Sequence, residues 1–479
     1  MKKLLLFISL FYCSLSFSQE KIGSDISGKQ ASEFLGFSVS ISSDGNIVAS
    51  GAVGNTVRGS LSGQVRIYEN TSGVWSQVGS DISGSKILDT FGASVSLSSD
   101  GSIVAIGATG NLDSPGYVRI YKNTSGNWEK IGSDIIGETP GDSSGWSVSL
   151  SSDGNIVAIG APFNDINGTD SGNVRVYKNI SDVWTQIGSS INGEGSLDES
   201  GKSISLSSDG SIIAIGAESN SFKGHVRVYK NISGIWTQIG SDIEGGQFGD
   251  KFGASVSLSS DGNTVAIGAP SALNTVGQVL VYTVNKIGVW TQTGSSITGE
   301  ATSEEFGTSV SLSSDGNTLV AGTPFHDFRR GRVKVYKKTG DWTQIGSDIE
   351  GESGTDQSGW RVDVSSNGDI IVIGERQKDG INGVDSGAVR VFNFSDALLS
   401  SDSFVLENTS MYPNPTKKEF TVRLSENIQF KKLRIYTTLG KYLLESSKKE
   451  VNIESLSKGV YFVEITTDQG KATKKLLVN

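Results

Sequence analysis

Cysteine is almost missing from this 479-residue chain, and its one copy, Cys13, lies in an N-terminal stretch with the marks of a secretion signal. Lys2 and Lys3 form a basic start, Leu4 to Phe17 an apolar run, and Ser16-Phe17-Ser18 a small-x-small site, so segment 1–18 is expected to be removed by cleavage before Gln19. Tyr12 precedes the cysteine where a lipoprotein signal wants a small residue, which argues against a lipid anchor. The mature chain is then free of thiols, which excludes a disulfide framework, a thiolate metal site and a cysteine nucleophile. No other run approaches the roughly 18 apolar residues of a membrane span, so no transmembrane span is expected in the mature chain. Positive charge is also short, with 41 Lys and Arg against 51 Asp and Glu, which excludes nucleic acid as a partner for the whole surface. Proline numbers only 7, whereas glycine reaches 61, a level that points to many tight turns.

What the chain does contain is a repeat. A Ser-Ser-Asp-Gly tetrad recurs with its acid at Asp44, Asp100, Asp153, Asp209, Asp261 and Asp315, and a seventh copy reads Ser365-Ser366-Asn367-Gly368. Each copy carries four strand signals. Ser255 to Leu258 and Thr264 to Ile267 alternate with period two around Asp261-Gly262, a sequence that predicts a type I′ hairpin with positive φ at both central residues. A third strand such as Val174 to Tyr177 runs through an Asn-x-Ser-Gly-like turn into a strand that opens with Trp75, Trp128, Trp184, Trp236, Trp290 or Trp342. Four antiparallel strands per unit, seven units and no helical periodicity predict an all-β fold, a seven-bladed β-propeller spanning 19–394. Lys21 to Ile26 copies the outermost strand without its neighbours, and the last unit ends without one. The N-terminal strand is therefore expected to pair with Val389 to Phe394 and close the seventh blade.

Phe91-Gly92, Phe252-Gly253 and Phe306-Gly307, followed by Gly107-Ala108, Gly268-Ala269-Pro270 and Gly322-Thr323-Pro324, resemble FG-GAP repeats, the units of integrin α-chain propellers and many bacterial surface proteins. Ser144, Ser200 and Ser358 stand where the phenylalanine belongs in the third, fourth and seventh copies. The calcium-binding members carry a longer Asp-x-Asp-x-Asp-Gly-like loop, whereas this chain has a bare Ser-Ser-Asp-Gly. One carboxylate cannot supply the six to eight oxygens that Ca²⁺ prefers, so no cofactor is expected.

After Phe394 the pattern stops. Residues 395–410 read as a Ser-rich linker, and the segment beyond it, 411–479, changes sign: 13 basic against 7 acidic residues give it +6, while the rest of the chain after the signal, 19–410, has 26 against 44, or −18. Its short alternating strands predict a small Ig-like β-sandwich. Tyr412-Pro413-Asn414-Pro415, Gly440, Gly459, Tyr461 and the terminal Lys474-Lys475 strongly resemble the C-terminal sorting domain of the type IX secretion system. That resemblance implies the type IX machinery as a partner, export through both membranes, removal of the domain, and a secreted or outer-membrane surface location.

Chemistry is sparse. Of two histidines, His225 begins a strand and reads as a packed ring. His326, with Asp327, Phe328, Arg329 and Arg330, forms a loop that departs from every other copy and brings an acid, a base and two guanidiniums together. Asp165 and Asp170 are weak Ca²⁺ candidates in Asn-Gly and Asp-Ser-Gly text that reads more simply as turns. The repeated Asp does not match a glycosidase Asp box, and no uniquely placed carboxylate pair suits a hydrolase. Because connections alternate sides, the uniform turns share one face and the variable ones the other. The variable face gathers acidic stretches such as Asp198-Glu199 and Glu304-Glu305, together with Trp146 and Trp360. A glycan or extracellular protein ligand is expected there, bound by His326, Asp327, Arg329, Arg330, Trp146 and Trp360, with no catalysis; the alternative is a polysaccharide-active enzyme on the same face.

Overall fold

The structure, a computed structural model, describes residues 19–395, 408–425, 428–437, 442–468 and 470–479, which leaves the signal segment, most of the linker and Gly440 outside the described residues. Two compact units emerge, one of residues Glu20–Phe394 and one formed by the described residues from Asn408 onward. Among the described residues the helical content is three short turns, Asn220–Phe222, Ala272–Thr275 and His326–Arg329.

The first unit consists of seven antiparallel sheets. The first is typical: Leu35–Ile41, Ile47–Ala52, Gln64–Thr71 and an outermost strand broken into Val74–Gln77 and Ile82–Ser83, both paired with the third strand. The innermost strand of each sheet packs against that of the next, and the last, Ser358–Val364, packs against the first, so the order is cyclic. Glu20–Lys21 pairs with Phe392 and Asn393, and Ile26–Ser27 with Ala388 and Val389. The outermost strand of the seventh sheet thus comes from the chain's beginning, as the truncated first repeat predicts.

Three sets of repeated contacts tie sheet to sheet. The second serine of every tetrad donates its backbone N–H to the carbonyl of the same serine one unit on, from Ser43 to Ser99 and so round to Ser366, whose N–H returns to Ser43; all seven bonds measure 2.8–3.0 Å. At the rim, the indole of Trp75 donates to Ile22 O, Trp128 to Val78 O, Trp184 to Ile131 O, Trp236 to Ile187 O, Trp290 to Ile239 O and Trp342 to Thr293 O. These tryptophans, packed on the apolar cores of the junctions, thereby also hydrogen-bond the preceding sheet. Between channel and rim, backbone lies on backbone: a Cβ on Gly107 would fall 2.0 Å from Gly145 O, and Gly51, Gly160, Gly216, Gly268, Gly322 and Gly374 meet the next unit's glycine in the same way. The glycine at each Phe-Gly position, whether Phe, Leu or Ser precedes it, therefore faces the glycine of a Gly-Ala position across every junction.

Apolar cores fill these junctions. Val65, Ile67 and Ile82 of the first sheet pack on Phe91, Val95, Val104 and Ile106 of the second. Where Ser144 replaces the phenylalanine, the guanidinium of buried Arg175 donates to its Oγ at 3.1 Å.

One turn differs from expectation. In the tetrad hairpin only the glycine has positive φ (Gly45, 78°), so the loop is not type I′. Ser42 Oγ instead donates to Asp44 Oδ1 and accepts from Ile47 N–H, while Asp44 also accepts from the Asn46 amide. This side-chain lock supports a four-residue loop that a bare Asp-Gly pair could not specify. Burial alone would raise the Asp44 carboxyl, but these hydrogen bonds outweigh it and hold it below the ordinary range. The positive φ pair occurs in the other hairpin, at Ser72 (53°) and Gly73 (85°).

The second unit has two sheets, one of Thr409–Tyr412, Glu419–Leu424 and Glu450–Asn452, the other of Phe430–Thr437, Tyr442–Ser446, Gly459–Thr467 and Gly470–Val478. They share one core that includes Phe420, Leu433, Val463 and Leu476. Its first strand begins at Thr409, two residues before the expected boundary.

Two expectations follow. Gly107→Ala should lower stability by about 1–3 kcal/mol through overpacking of a junction, while Gly195→Ala, whose Cβ would meet nothing within 4 Å, should be nearly neutral; urea denaturation of both variants measures this. The seventh inner strand carries Asp363 where the other six have serine, and it accepts from Ile41 N–H at 3.0 Å and Ser311 Oγ at 2.8 Å. Burial pushes its carboxyl above the ordinary range despite those bonds. A raised folded pKa means the native state holds the proton more tightly, so stability falls as pH rises through the interval above about 4. Asp363→Ser should therefore raise the thermal midpoint, by more at pH 7 than at pH 4.

Candidate functional site

The turn face offers little to a ligand, because the tetrad acids are committed to their own loops. The opposite face is built from the long connections, and each of the seven exposes a large apolar side chain: Val57, Leu112, Ile166, Phe222, Leu273, Phe328 and Ile381, the last 98% exposed.

The central channel opens on this face in a cavity of about 180 Å³, lined by hydroxyls such as Ser94, Ser147 and Ser203 together with Trp146, Lys202 and Arg361. Its far end is a second cavity of about 190 Å³ containing the serine ring and Asp363. Arg361 and Asp363 are both departures of the seventh unit, since the first six carry serine at each position, as in Ser94 and Ser96.

Trp360 sits at the centre of a cluster beside the mouth. The guanidinium of Arg376 lies 3.2 Å from its ring centroid and that of Arg361 5.5 Å; Phe37 and Phe325 flank it at 6.1 and 6.4 Å. Arg329 lies over Phe325 at 5.9 Å. Arg376 Nε donates to Gln357 Oε1 at 2.6 Å and Arg361 Nη1 to Trp360 O at 3.0 Å. Among the described residues no carboxylate lies within ion-pair distance of Arg329, Arg361 or Arg376. Burial, then repulsion from Arg361 and Arg329, lowers Arg376 to about 10. The Trp360 Nε1 is buried without a hydrogen-bond partner.

The sequence-predicted residues divide on this geometry. Arg329 and Trp360 belong to the cluster. His326 does not stand open in a loop: it starts the short helical turn His326–Arg329, and its Nδ1 is 2.6 Å from Glu304 Oε1. Arg330 is taken by Glu350 at 2.9 Å and Gly351 O at 2.6 Å, and exposed Asp327 lies 3.8 Å from it. Trp146 is in a separate group, edge-on to Phe163 with Lys202 5.0 Å above its ring. Cations cover a face of both tryptophans, so sugar stacking on those faces is not available. The acidic stretches also change meaning. Glu304 and Asp198 are buried and accept backbone N–H groups of their own loops, Glu300 N for the first and Glu194 and Gly195 N for the second. They shape the connections and leave the recognition surface to others. Asp165 Oδ1 accepts the Asp170 N–H at 2.8 Å, the turn reading of that segment, and proximity to Asp165 and Glu199 adds to burial in raising Asp170.

His225 is buried, and burial and Arg227 lower its imidazole below the ordinary range. Its ligand-type atoms come within 4.8 Å of those of Glu194 and Asp242, but the Arg227 guanidinium already lies 3.6 Å from Glu194. A cavity of about 450 Å³ lies beside Trp75 at the first unit's rim, where Lys29 is already paired with Asp81.

In the C-terminal unit Asn414 joins the first strand's end to the last strand: its Nδ2 donates to Lys475 O at 2.6 Å and its Oδ1 accepts from Leu477 N at 2.9 Å. Tyr461 donates to Ser457 O at 2.7 Å, Tyr412 is exposed, and burial lowers Lys474. Pro413 and Pro415 follow cis peptide bonds, and Gly459 opens the strand that pairs with the terminal one.

The model of the secretion system C-terminal sorting domain matches residues 410–479 and that of the FG-GAP repeat residues 138–177. Ulvan lyase NLR42 of Nonlabens ulvanivorans is 32% identical over 94 residues, 18% of this chain and 17% of the lyase, so the match spans less than a fifth of that relative's length. Among solved structures, hydrazine synthase of Kuenenia stuttgartiensis is 11% identical with a TM-score of 0.49, covering 73% of this chain and 94% of that one. The periplasmic gluconolactonase of Pseudomonas aeruginosa is 16% identical with a TM-score of 0.46, covering 66% and 85%. No helix of the described residues is long and apolar enough to cross a membrane. The chain carries an FG-GAP repeat and a type IX C-terminal sorting domain, which directs it to the extracellular or cell-surface space.

Proposed function

We propose that the ring of seven sheets is a seven-bladed β-propeller that serves as a secreted or surface-attached binding protein, its ligand an extracellular glycan or protein held on the variable-loop face, with an Ig-like sandwich as the export module. The observation that carries the reading is that each of the seven variable connections exposes a large apolar side chain on the face where the cavity lined by Lys202 and Arg361 opens, while the tetrad acids of the other face are bonded within their own turns. In this reading the tetrad aspartates hold no calcium and serve their own turns, as Asp44 does in accepting from Ser42 Oγ and the Asn46 N–H. A polysaccharide-active enzyme is the second reading, favoured by the short likeness to the ulvan lyase; release of unsaturated or reducing ends from an extracellular polysaccharide by the mature chain would establish it over the binding reading.

Two experiments test the proposal. In a screen of the mature chain against immobilised glycans and extracellular proteins, Phe328→Ser combined with Ile381→Ser should weaken binding at least tenfold, while Asp100→Asn with Asp153→Asn on the turn face should leave it within twofold. Loss in the turn-face variant alone, with the fold intact, would reverse the face assignment. For export, deletion of 411–479 should leave the repeat unit folded in the periplasm; fractionation and immunoblotting measure its location, and undiminished appearance outside the cell would remove the role given to the sorting domain.

A further inference from the structure

From the Trp360 cluster we infer an anion-binding subsite for a negatively charged sugar unit of a polysaccharide, a proposal that rests on the variable-loop face being the binding face. Three guanidiniums, Arg329, Arg361 and Arg376, converge on one aromatic platform in a unit whose net charge is −15. Several buried cations of that unit have acids beside them, Arg66 with Glu33, Arg332 with Glu300 and Glu304, Arg390 with Glu375, while buried Arg175 is held by Ile136 O and Ser144 Oγ instead. In the cluster three guanidiniums, two half-buried and one exposed, stand together with no acid within ion-pair distance among the described residues. Holding like charges together costs free energy that an oxyanion seated between them removes, and the planar fork of a guanidinium matches a carboxylate or sulfate with two parallel N–H bonds.

Two further features point to a sugar as the carrier of that anion. The adjoining cavity, about 180 Å³, has room on the order of one pyranose ring, and its wall is a circle of serine hydroxyls. Ser94 and Ser147 Oγ donate to carbonyls of the next sheet, at 2.7 Å each, which leaves their lone pairs turned to hydroxyl donors. An aliphatic or aromatic side chain of a protein partner would leave those hydroxyls desolvated, whereas sugar hydroxyls replace their water. The buried Trp360 Nε1, without a partner, adds one more donor beside the guanidiniums. Arg361 is the pivotal residue, because it belongs to both the cavity lining and the cluster, and because every other unit has serine in its place. The seventh unit has thus broken the symmetry of the channel mouth by one cation pointing into it, and the class of ligand that fits is a uronate or sulfate-ester sugar at the end or in the exposed turn of a chain.

The test uses the mature full chain and three oligosaccharides of equal length, an oligogalacturonate, a sulfated galactan oligomer and a neutral glucan oligomer, with oligoglutamate as a peptide of matched charge. Isothermal titration should detect one or both anionic oligosaccharides and bind the neutral one at least tenfold more weakly. Arg361→Ser, the residue that six units already carry, keeps the fold, as an unchanged thermal midpoint would verify; it should weaken the anionic oligosaccharide at least tenfold and reduce the salt dependence of binding. The two anionic arms separate carboxylate from sulfate recognition. Unchanged affinity in Arg361→Ser, absence of binding by both anionic oligosaccharides, preference for the neutral oligomer, or equal binding of oligoglutamate would each overturn the inference. If affinity were indifferent to Arg361→Ser yet lost with Phe328→Ser and Ile381→Ser, the binding face would stand and only the anion site would fail; loss from neither variant would remove both.

Discussion

Everything in the repeat unit depends on how closely neighbouring sheets approach. Gly107 and Gly145, and their counterparts at the other six junctions, bring backbone against backbone with no room for a Cβ. Once that distance is set, Ser94 Oγ can reach Gly145 O, the serine carbonyls line up with the next unit's N–H groups, and the apolar side chains of two sheets interlock. Hydrogen bonds of this kind contribute modestly one by one, about 0.5–1.5 kcal/mol each; their weight here lies in being repeated and in fixing register. The motif glycines therefore encode a spacing between units more than the shape of any turn.

The same repetition decides what was legible in the sequence. Strand alternation, the tetrad period and the orphan strand at Lys21 to Ile26 gave the sheets, their number and the pairing with Val389 without any structure, because each is a local pattern copied many times. Turn type was misread, since Asp-Gly is a hairpin signal only when side chains do not compete, and Ser42 and Asn46 do compete here. The site was legible only in part. Arg329 and Trp360 stand out by position or type, but Arg361 and Arg376 lie far apart in the chain from Arg329 and meet it only across the mouth. The signal that could have found Arg361 was present: in an alignment of the seven copies against one another it is the basic residue in a column of serines. Glu304 and Asp198 show the converse, since acids in a loop look like a binding surface until their partners turn out to be the loop's own amides.

Local irregularity is the common thread among the features that bear on function. Six copies of the inner strand are nearly interchangeable, and the seventh carries an arginine near one end of the channel and an aspartate near the other. Both substitutions place charge where the fold has otherwise arranged neutral hydroxyls, and both are costly to bury. A scaffold that tolerates such departures in one unit, while six units maintain its geometry, can acquire a site without redesigning its core.

The seam has a kinetic meaning as well. Strand pairing joins Lys21 to Phe392, residues at the two extremes of the ring, so the last sheet cannot be finished until nearly the whole unit has been synthesised. Closing so long a loop is the slowest kind of contact to form, and an open ring exposes two sheet edges in the meantime. The N-terminal strand begins beside the expected signal cleavage site, so maturation of that end and completion of the ring converge on the same few residues. Opening should start there too, which makes the junction of the first and seventh sheets the point where a protease or a mechanical load would first gain purchase on the ring.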